Sequence, residues 1–386
     1  MRSAAGGALL GFQRVRDNFE LVAKYGDGVP LYLFSDLFLR VPQLREMFPV
    51  NMRSQRERLM GALAFAVEHA GDLAAITPYL HHLARSHRKF GARPEHYAQW
   101  SVSVVNAMRR FSGSAWDDEL EREWRDFLTA VSQVMIDAAR QDGSTRPPHW
   151  SAEIISHERR AVDTAVIRLL VDEPFPYVPG QSAPVEVEKW PNMWRYYSMA
   201  NVPRQDNTIE FHVKGDGAVS QTLVREMREG DTVKLGWPVG TLTLNPNTER
   251  NILLIAGGTG FAPIKALLEH VIRLPVPPWV SLFVGAREPE GLYDFDSVRS
   301  WAERYSWLSV RAALSEIPAP DVAASGTVAE VVSRYGRWGG YDAYVCGPAA
   351  MVEDTVSMLR ENGFSDNRIR LERFALAAPP TQRFAI

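Results

Sequence analysis

A short run of polar and aromatic residues near the middle of the chain has the composition of a flavin site. The run is Trp194-Arg-Tyr-Tyr-Ser198, and its residue types indicate a β-strand that presents alternate side chains to one face. Arg195 offers a cation for a pyrophosphate, Tyr197 an aromatic ring for an isoalloxazine, and Ser198 a small hydroxyl for the reactive edge of that ring. An edge strand with two tyrosines packed outward would have the same sequence, so the run alone is a weak signal.

A glycine motif that follows this run has the residue types of a phosphate-binding turn. The motif is Gly217-Ala-Val219-Ser220. Glycine lets a backbone approach a phosphate closely, and a helix that begins near Ser220 would offer free N–H groups to the anion. A surface turn that leads into a helix accounts for the motif equally well.

A second glycine-rich turn is Gly257-Gly258-Thr259-Gly260, which directly follows a predicted strand and opens a predicted helix. Pyrophosphate groups dock at such turns, at the carboxyl end of a parallel strand. The turn is not the G-x-G-x-x-G fingerprint, so the signal depends on the order of strand, glycines and helix. The alternative is a tight turn without a ligand.

Two further segments near the C-terminus have residue types that suit a ligand crevice. Cys346-Gly347-Pro348 follows another predicted strand, where a cysteine either belongs to the core or lines a crevice at the strand's carboxyl end. Phe374 offers an aromatic ring that would cover a planar cofactor, with a terminal strand packed on the sheet as the alternative.

Three stretches of different periodicity must position these residues. Apolar residues recur at helical spacing up to about Arg140, short strands follow Trp150, and buried strands alternate with helices after Asn251. The predicted fold class is multi-domain: an all-α domain, an antiparallel β-barrel, and an α/β domain with a doubly wound parallel sheet. The predicted boundaries are 1–142 for the helical domain, 143–149 for a linker, 150–247 for the barrel and 248–386 for the α/β domain.

Length and composition exclude several classes of protein. The 386 residues exceed what one core accommodates, and the net charge of −3 lacks the basic surplus of a general nucleic-acid binder. A single cysteine permits no internal disulfide, which fits a reducing cytoplasm. No apolar run is long enough to predict secretion or a membrane span. The oligomeric state does not follow from the sequence.

The motifs R-x-Y-S, G-x-x-S, G-G-T-G-x-A-P, C-G-P and E-x-F, in this order, resemble the ferredoxin–NADP reductase superfamily over residues 150–374. The resemblance implies FAD in the barrel and a nicotinamide nucleotide on the α/β domain. It implies that Arg195 binds the pyrophosphate, that Tyr197 stacks on the flavin, and that Ser198 lies near the nitrogen that accepts hydride. Phe374 would cover the other flavin face. Ser182 departs from relatives that carry a globin, which often have tyrosine there.

The helical domain contains a histidine and a tyrosine on either side of a predicted helix start. His87 ends one predicted helix, and Tyr97 lies one turn into the next, which begins at Pro94. A neutral imidazole can bind haem iron, and a second partner fixes its tautomer. This stretch resembles the proximal segment of a globin. Gln55 and Leu59, spaced one turn apart, resemble the distal glutamine and leucine, and Phe48 the phenylalanine that wedges the haem.

A globin followed by this reductase resembles the flavohaemoglobins over nearly the whole chain. The resemblance implies that electrons pass from NADH through FAD to haem b, and that nitric oxide and oxygen are converted to nitrate. His87 would be the axial ligand of the iron and Tyr97 its partner. The implied partners are therefore small molecules: oxygen, nitric oxide and NADH.

The haem pocket departs from the family pattern at three positions. The distal tyrosine falls at Phe34, which cannot donate a hydrogen bond, the proximal glutamate at Ala139, and the lysine before the ligand at Ser86. These changes resemble a divergent actinobacterial branch. They leave two alternatives open: a haem and flavin redox enzyme or electron-transfer reductase with another donor or acceptor, and a haem-free docking module on a reductase.

The charge of the residue after the third strand of the predicted parallel sheet indicates which nicotinamide nucleotide the chain binds. Reductases that use NADPH need cations for the ribose phosphate, often after the third strand of this sheet. Glu316 occupies that place, and its carboxylate would repel a phosphate and accept a hydrogen bond from a ribose hydroxyl. NADH is therefore favoured over NADPH, although Arg287 would supply one cation.

Overall fold

A computed structural model describes residues 8–246, 249–336 and 338–374, which form two compact units divided between His149 and Trp150. The first unit is helical. The second contains two β-sheets. None of the helices within the described ranges combines the length and the apolar character needed to cross a membrane.

Within the described residues, the helical unit contains six α-helices that pack around a main core. Asp72 and Asp117 cap two of them by accepting backbone N–H bonds from Ala75 and Leu120. Pro94 occupies the first position of its helix, as predicted. The helices are α1 (Ala8–Ala23), α2 (Gly28–Arg40), α3 (Arg53–Glu68), α4 (Leu73–Arg88), α5 (Pro94–Ser112) and α6 (Asp118–Gly143), with short 3₁₀ turns at Pro42–Met47 and Gly113–Ala115.

The first sheet is an antiparallel, nearly closed barrel. After the edge strand β4, the Ala200 N–H donates to the Glu210 carbonyl of β5 at 2.7 Å, which joins the two edges. The strands run in the order β4-β3-β6-β1-β2-β5. They are β1 (Trp150–Ala161), β2 (Thr164–Val171), β3 (Ser182–Val187), β4 (Arg195–Ser198), β5 (Thr208–Lys214) and β6 (Thr232–Leu235), and between β5 and β6 lie α7 (Ala218–Gln221) and a π-turn (Thr222–Glu226).

The second sheet is parallel and covered by helices on both faces, which confirms the predicted doubly wound arrangement. Its strand order is β10-β9-β8-β7-β11-β12. The strands are β7 (Asn251–Gly257), β8 (Val280–Ala286), β9 (Leu308–Leu314), β10 (Ala324–Ser325), β11 (Tyr341–Pro348) and β12 (Ile369–Phe374). The helices are α8 (Phe261–Ile272), α9 (Phe295–Arg304), α10 (Val328–Arg334) and α11 (Ala349–Glu361).

Alternate residues of β7 serve opposite faces of this sheet. Leu254 packs with α8 and α9, whereas Leu253 and Ile255 pack with α10 and α11. The chain crosses in opposite directions from β7 and from β11, its neighbour, so the carboxyl ends of these two strands flank the point where the topology switches. Ligands of open α/β sheets bind at such a point.

Two glycine turns approach each other closely at this point. A Cβ atom on Gly260 would lie 2.3 Å from the Cys346 carbonyl oxygen and 2.7 Å from the Gly347 Cα. The turn after β7 therefore packs directly against the end of β11, and only a residue without a side chain fits at position 260.

We predict that Gly260→Ala lowers the free energy of unfolding by about 1–3 kcal/mol, because the added methyl group must displace backbone. Gly339→Ala is a suitable control, since a Cβ atom there meets nothing within 4 Å. Thermal unfolding of both variants checks the prediction, and equal midpoints would contradict it.

Candidate functional site

The structure brings His87 and Tyr97 together in the helical unit. Their ring centroids lie 6.2 Å apart, with 35° between the ring planes. His87 is half-buried near the end of α4, and Tyr97 is buried in the first turns of α5. Burial, assisted by the charge of Lys89, lowers the pKa of His87 to about 4, so the imidazole is neutral at physiological pH. A neutral ring nitrogen is the form that ligates haem iron.

The hydroxyl of Tyr97 is a buried polar group without a hydrogen-bond partner among the described residues. Burial raises its pKa to about 12, so it remains a protonated donor. A buried donor left unpaired costs about 1–3 kcal/mol, and this cost is removed when a bound group supplies an acceptor. The residues on this side of the pocket therefore fit a haem group.

Aromatic side chains from α2 and the segment after it form a separate apolar cluster. The ring of Phe34 lies 5.7 Å from that of Phe38 and 5.3 Å from that of Phe48. Leu59 packs on this cluster from α3. Gln55, one turn earlier on α3, is half-buried, and its amide makes no hydrogen bond within the described ranges. Phe34, Phe48 and Leu59 are therefore neighbours, and Gln55 lies one turn from Leu59 on α3.

Tyr32 does not replace the missing distal tyrosine. Its ring packs edge-on against Phe111 of α5 at 6.0 Å, in the main core of the helical unit. Phe34 lies in the separate aromatic cluster. Two residues along a helix differ by about 200° in direction, which explains the separation.

No carboxylate among the described residues bonds to His87 or Tyr97. Ala139, at the position of the family's glutamate, packs on the core. Asp137 is exposed and accepts bonds from Gln133 at 3.0 Å. Sequence reasoning missed another acid, Asp142, which is buried at the end of α6 and binds Arg88, the residue next to His87.

The predicted flavin residues lie on and beside β4. Arg195 is exposed, and its guanidinium donates to the Trp194 carbonyl at 3.0 Å. Tyr197 is half-buried with its ring 6.2 Å from that of Phe211, and burial raises the pKa of its phenol. Ser198 is buried and pairs with Ser182 across the β3–β4 ladder.

The predicted phosphate turn is partly satisfied within the chain. The helix begins at Ala218, two residues before Ser220, and the Ser220 hydroxyl accepts the N–H groups of Asp216 at 3.1 Å and Gly217 at 2.9 Å. Val219 is buried in the barrel core. The two amides that precede the helix are therefore not free for an anion.

The predicted nucleotide residues meet at the carboxyl edge of the parallel sheet. Gly258 has a φ of 54°, which favours glycine, and Thr259 is half-buried. Gly347 is buried and Pro348 exposed at the end of β11. The Phe374 backbone pairs with Pro348, and its side chain lies outside the described residues.

The thiol of Cys346 lies in the core and does not line a crevice. The residue is fully buried against residues of β7 and α8, and burial raises the pKa of its thiol well above the usual value. Its contribution to this edge is the backbone carbonyl that stands against Gly260.

The position that would distinguish NADH from NADPH holds an ion pair. The Glu316 N–H donates to the Arg287 carbonyl at 3.0 Å, and the Arg287 Nε lies 3.9 Å from the Glu316 carboxylate. Both side chains are exposed, Arg287 directly after β8 and Glu316 just after β9. The cation of Arg287 therefore has a carboxylate beside it.

Three protein families match successive parts of the chain. Residues 32–135 match the globins, residues 151–244 the FAD-binding domain of oxidoreductases, and residues 254–357 the NAD-binding domain of oxidoreductases. These matches confirm the predicted order of helical, barrel and α/β domains.

Curated relatives include both reductases and flavohemoproteins. Reductase component 1 of terephthalate 1,2-dioxygenase from a Comamonas species is 28% identical over 276 residues, which cover 69% of this chain and 81% of that protein. A flavohemoprotein of Halalkalibacterium halodurans is 26% identical over 286 residues, which cover 68% of this chain and 69% of that protein.

Solved structures resemble either the whole chain or a large part of it. A flavohemoglobin from Malassezia yamatoensis superposes with a TM-score of 0.72 at 14% identity and covers 95% of this chain and 98% of that one. At that identity the likeness establishes the fold alone. A ferredoxin reductase of carbazole 1,9a-dioxygenase has a TM-score of 0.54 at 28% identity, over 60% of this chain and 71% of that one.

We predict that Tyr97→Phe leaves the unfolding free energy of the haem-free protein unchanged or raises it, since the lost hydroxyl has no partner. Tyr177→Phe is the matched control: the Tyr177 hydroxyl is buried and donates to the Asn201 carbonyl at 3.1 Å, so its loss costs about 1 kcal/mol. Urea unfolding measures both. A loss of stability in Tyr97→Phe equal to that of the control would show that the hydroxyl has a partner in the chain.

Proposed function

Since the chain has the architecture of the flavohaemoglobins, a globin followed by FAD-binding and NAD-binding oxidoreductase domains, we propose that it is an NADH-dependent nitric oxide dioxygenase. The observation that carries the proposal is the neutral His87 beside the unpaired hydroxyl of Tyr97, in a globin joined to a reductase. The substrates are nitric oxide and oxygen, and the product is nitrate.

In this proposal His87 holds the haem iron. Bound haem supplies the metal centre at which oxygen reacts, and the protein supplies its ligand and its surroundings. Tyr97 orients the His87 ring from the proximal side, while Phe34, Phe48 and Leu59 exclude water from the distal side. Gln55 is the residue there that can donate a hydrogen bond to a diatomic ligand.

The reductase residues have separate roles in binding and orientation. FAD supplies the exchange between two-electron and one-electron transfer. The exposed guanidinium of Arg195 binds its pyrophosphate, Tyr197 stacks on its ring, and Ser198 lies at the ring's edge. The turn from Gly257 to Gly260 binds the pyrophosphate of the nicotinamide nucleotide at the topological switch. Phe374 covers the other flavin face.

A second candidate function is a haem and flavin redox enzyme, or an electron-transfer reductase, with a different donor or acceptor. Three observations favour it: Phe34 cannot donate to bound oxygen, Tyr32 packs in the core, and no described carboxylate supports His87. Relatives of the chain are named as reductase components of dioxygenase systems, which also supports this candidate. This candidate predicts slow reduction of haem by NADH.

The decisive experiment is nitric oxide consumption by haem-loaded protein with NADH and oxygen. We expect the wild type to consume nitric oxide rapidly. His87→Ala should lose the Soret band and this activity but keep NADH-dependent dye reduction to within about twofold, because the reductase is a separate unit. His81→Ala, on the same helix, is the control and should resemble the wild type.

The absence of nitric oxide loss in wild-type protein that holds haem and FAD would overturn the dioxygenase proposal. If anaerobic NADH then bleached the flavin while the haem stayed ferric, the second candidate would be favoured. Loss of dye reduction in His87→Ala would contradict the separation of the two units.

We predict that Glu316→Gln raises kcat/KM for NADPH about tenfold, a change of about 1.4 kcal/mol, and alters that for NADH less. The substitution removes the charge that repels a ribose phosphate and releases Arg287 to bind it. Glu303→Gln, on the exposed side of α9, is the matched control. Steady-state dye reduction with each nucleotide measures the ratio of kcat/KM for NADPH to kcat/KM for NADH. An unchanged ratio would contradict the role of Glu316 in selecting NADH.

A further inference from the structure

A cluster of buried ionisable side chains lies between the barrel and the parallel sheet, outside every motif considered above. The Lys265 ammonium on α8 is 2.8 Å from the Glu210 carboxylate on β5 and 2.8 Å from the Asp294 carboxylate, which precedes α9. The three side chains are 13%, 4% and 10% exposed. One cation thus bridges an acid of the barrel and an acid of the nucleotide-binding domain.

His212 completes the cluster. Its Nε2 lies 3.1 Å from the Glu210 carboxylate, which can only accept, so this nitrogen carries the proton. Its Nδ1 therefore accepts from the Tyr293 hydroxyl at 2.9 Å. Burial lowers the pKa of His212, so the ring is neutral and links Glu210 to Tyr293 without adding a charge. The contact again joins β5 to the segment before α9.

The charges within the cluster balance. Burial alone would raise the pKa of Glu210, but the bonds from His212 and Lys265 outweigh it and keep the carboxylate ionised. Arg168 binds the other oxygen of Glu210 at 2.9 Å, so two cations face two carboxylates. The side-chain atoms of Glu210, His212 and Asp294 that could bind a metal ion lie within 4.8 Å of one another. The Lys265 ammonium takes the place of a metal ion as their cation.

Both ends of the cluster adjoin a proposed cofactor site. Phe211, next to Glu210, packs against the ring of Tyr197. Lys265 lies in the second turn of the helix that follows Gly260, and Phe261 at the start of that helix packs 6.1 Å from the His212 ring. The cluster therefore lies between the residue proposed to stack on the flavin and the turn proposed to bind the nucleotide.

We propose that Lys265 is a positioning residue that fixes the nucleotide-binding domain against the flavin-binding barrel at the distance that hydride transfer requires. In that step a hydride would pass from C4 of NADH to N5 of the flavin: the C4–H bond would break and an N5–H bond would form. NADH would be oxidised to NAD⁺, and the flavin would gain two electrons and one proton. Such transfer needs reacting atoms about 3–3.5 Å apart, and a misplacement of about 1 Å can cost roughly a hundredfold in rate. The inference rests on the proposed function of the reductase.

The test compares Lys265→Met, which removes the charge but keeps the length of the side chain, with Lys265→Arg, which keeps the charge. Lys189→Met is the control, because Lys189 forms an exposed ion pair with Glu226. We expect Lys265→Met to retain FAD and to bind NAD⁺ within about threefold of the wild type by calorimetry. Its rate of flavin reduction at saturating NADH, measured anaerobically by stopped flow, should fall at least thirtyfold. Lys265→Arg should recover most of this loss, and Lys189→Met should equal the wild type.

Hydrogen exchange supplies a readout that does not depend on turnover. Exchange in Lys265→Met should rise in β5 and at the start of α8 together, and not in Lys189→Met. An unchanged reduction rate, or a rate loss that follows loss of FAD, would overturn the proposal.

If Lys265→Met does not fold, the double variant Lys265→Met, Asp294→Asn removes one cation and one carboxylate and leaves Glu210 paired with Arg168. A wild-type reduction rate in this variant would overturn the proposal, and a slow rate with full FAD content would support it. Failure of the wild type itself to reduce flavin with NADH would instead refute the proposed function.

Discussion

Burial of charge is the constraint on which the reductase unit depends. Lys265, Glu210 and Asp294 are almost fully shielded from water, and the Lys265 ammonium lies 2.8 Å from each of the two carboxylates. Loss of one partner from a buried ion pair costs about 3–5 kcal/mol, which is a large part of the 5–15 kcal/mol that stabilises a typical domain. Strand β5 and helix α8 are therefore held at one distance and in one orientation, which hydrophobic packing alone would specify less strictly.

The globin shows the opposite condition, a polar group that the chain leaves unsatisfied. The Tyr97 hydroxyl is buried and remains a donor, and His87 beside it is neutral. Groups of this kind are costly unless a ligand meets them. The cluster around Phe34 is built of phenylalanine rings, so in the proposed haem site hydrogen bonding on the distal side would depend on Gln55. An oxygen-binding globin with these side chains would retain its ligand mainly because apolar residues exclude water, and less through hydrogen bonds that the protein donates.

These two conditions separate the tasks of the two units. As proposed, the reductase would need fixed geometry, because hydride transfer fails over small changes of distance, and the balanced buried network would provide it. In the proposed haem site, His87 would act as a ligand whose protonation does not change near neutral pH, because its burial lowers its pKa. The tight packing of Gly260 against β11 contributes to the same rigidity at the nucleotide edge.

The sequence by itself determined the order of domains and the places of the glycine turns, because helical periodicity, strand length and glycine are local properties. It also located His87 and Tyr97 on either side of Pro94. Only the tertiary structure showed that Ser220 bonds the turn before its own helix, that Cys346 is core, and that Glu210, Lys265 and Asp294 meet. Those three residues are far apart in the chain. Their contact forms only when the barrel and the α/β domain pack together, so no local sequence pattern can predict it.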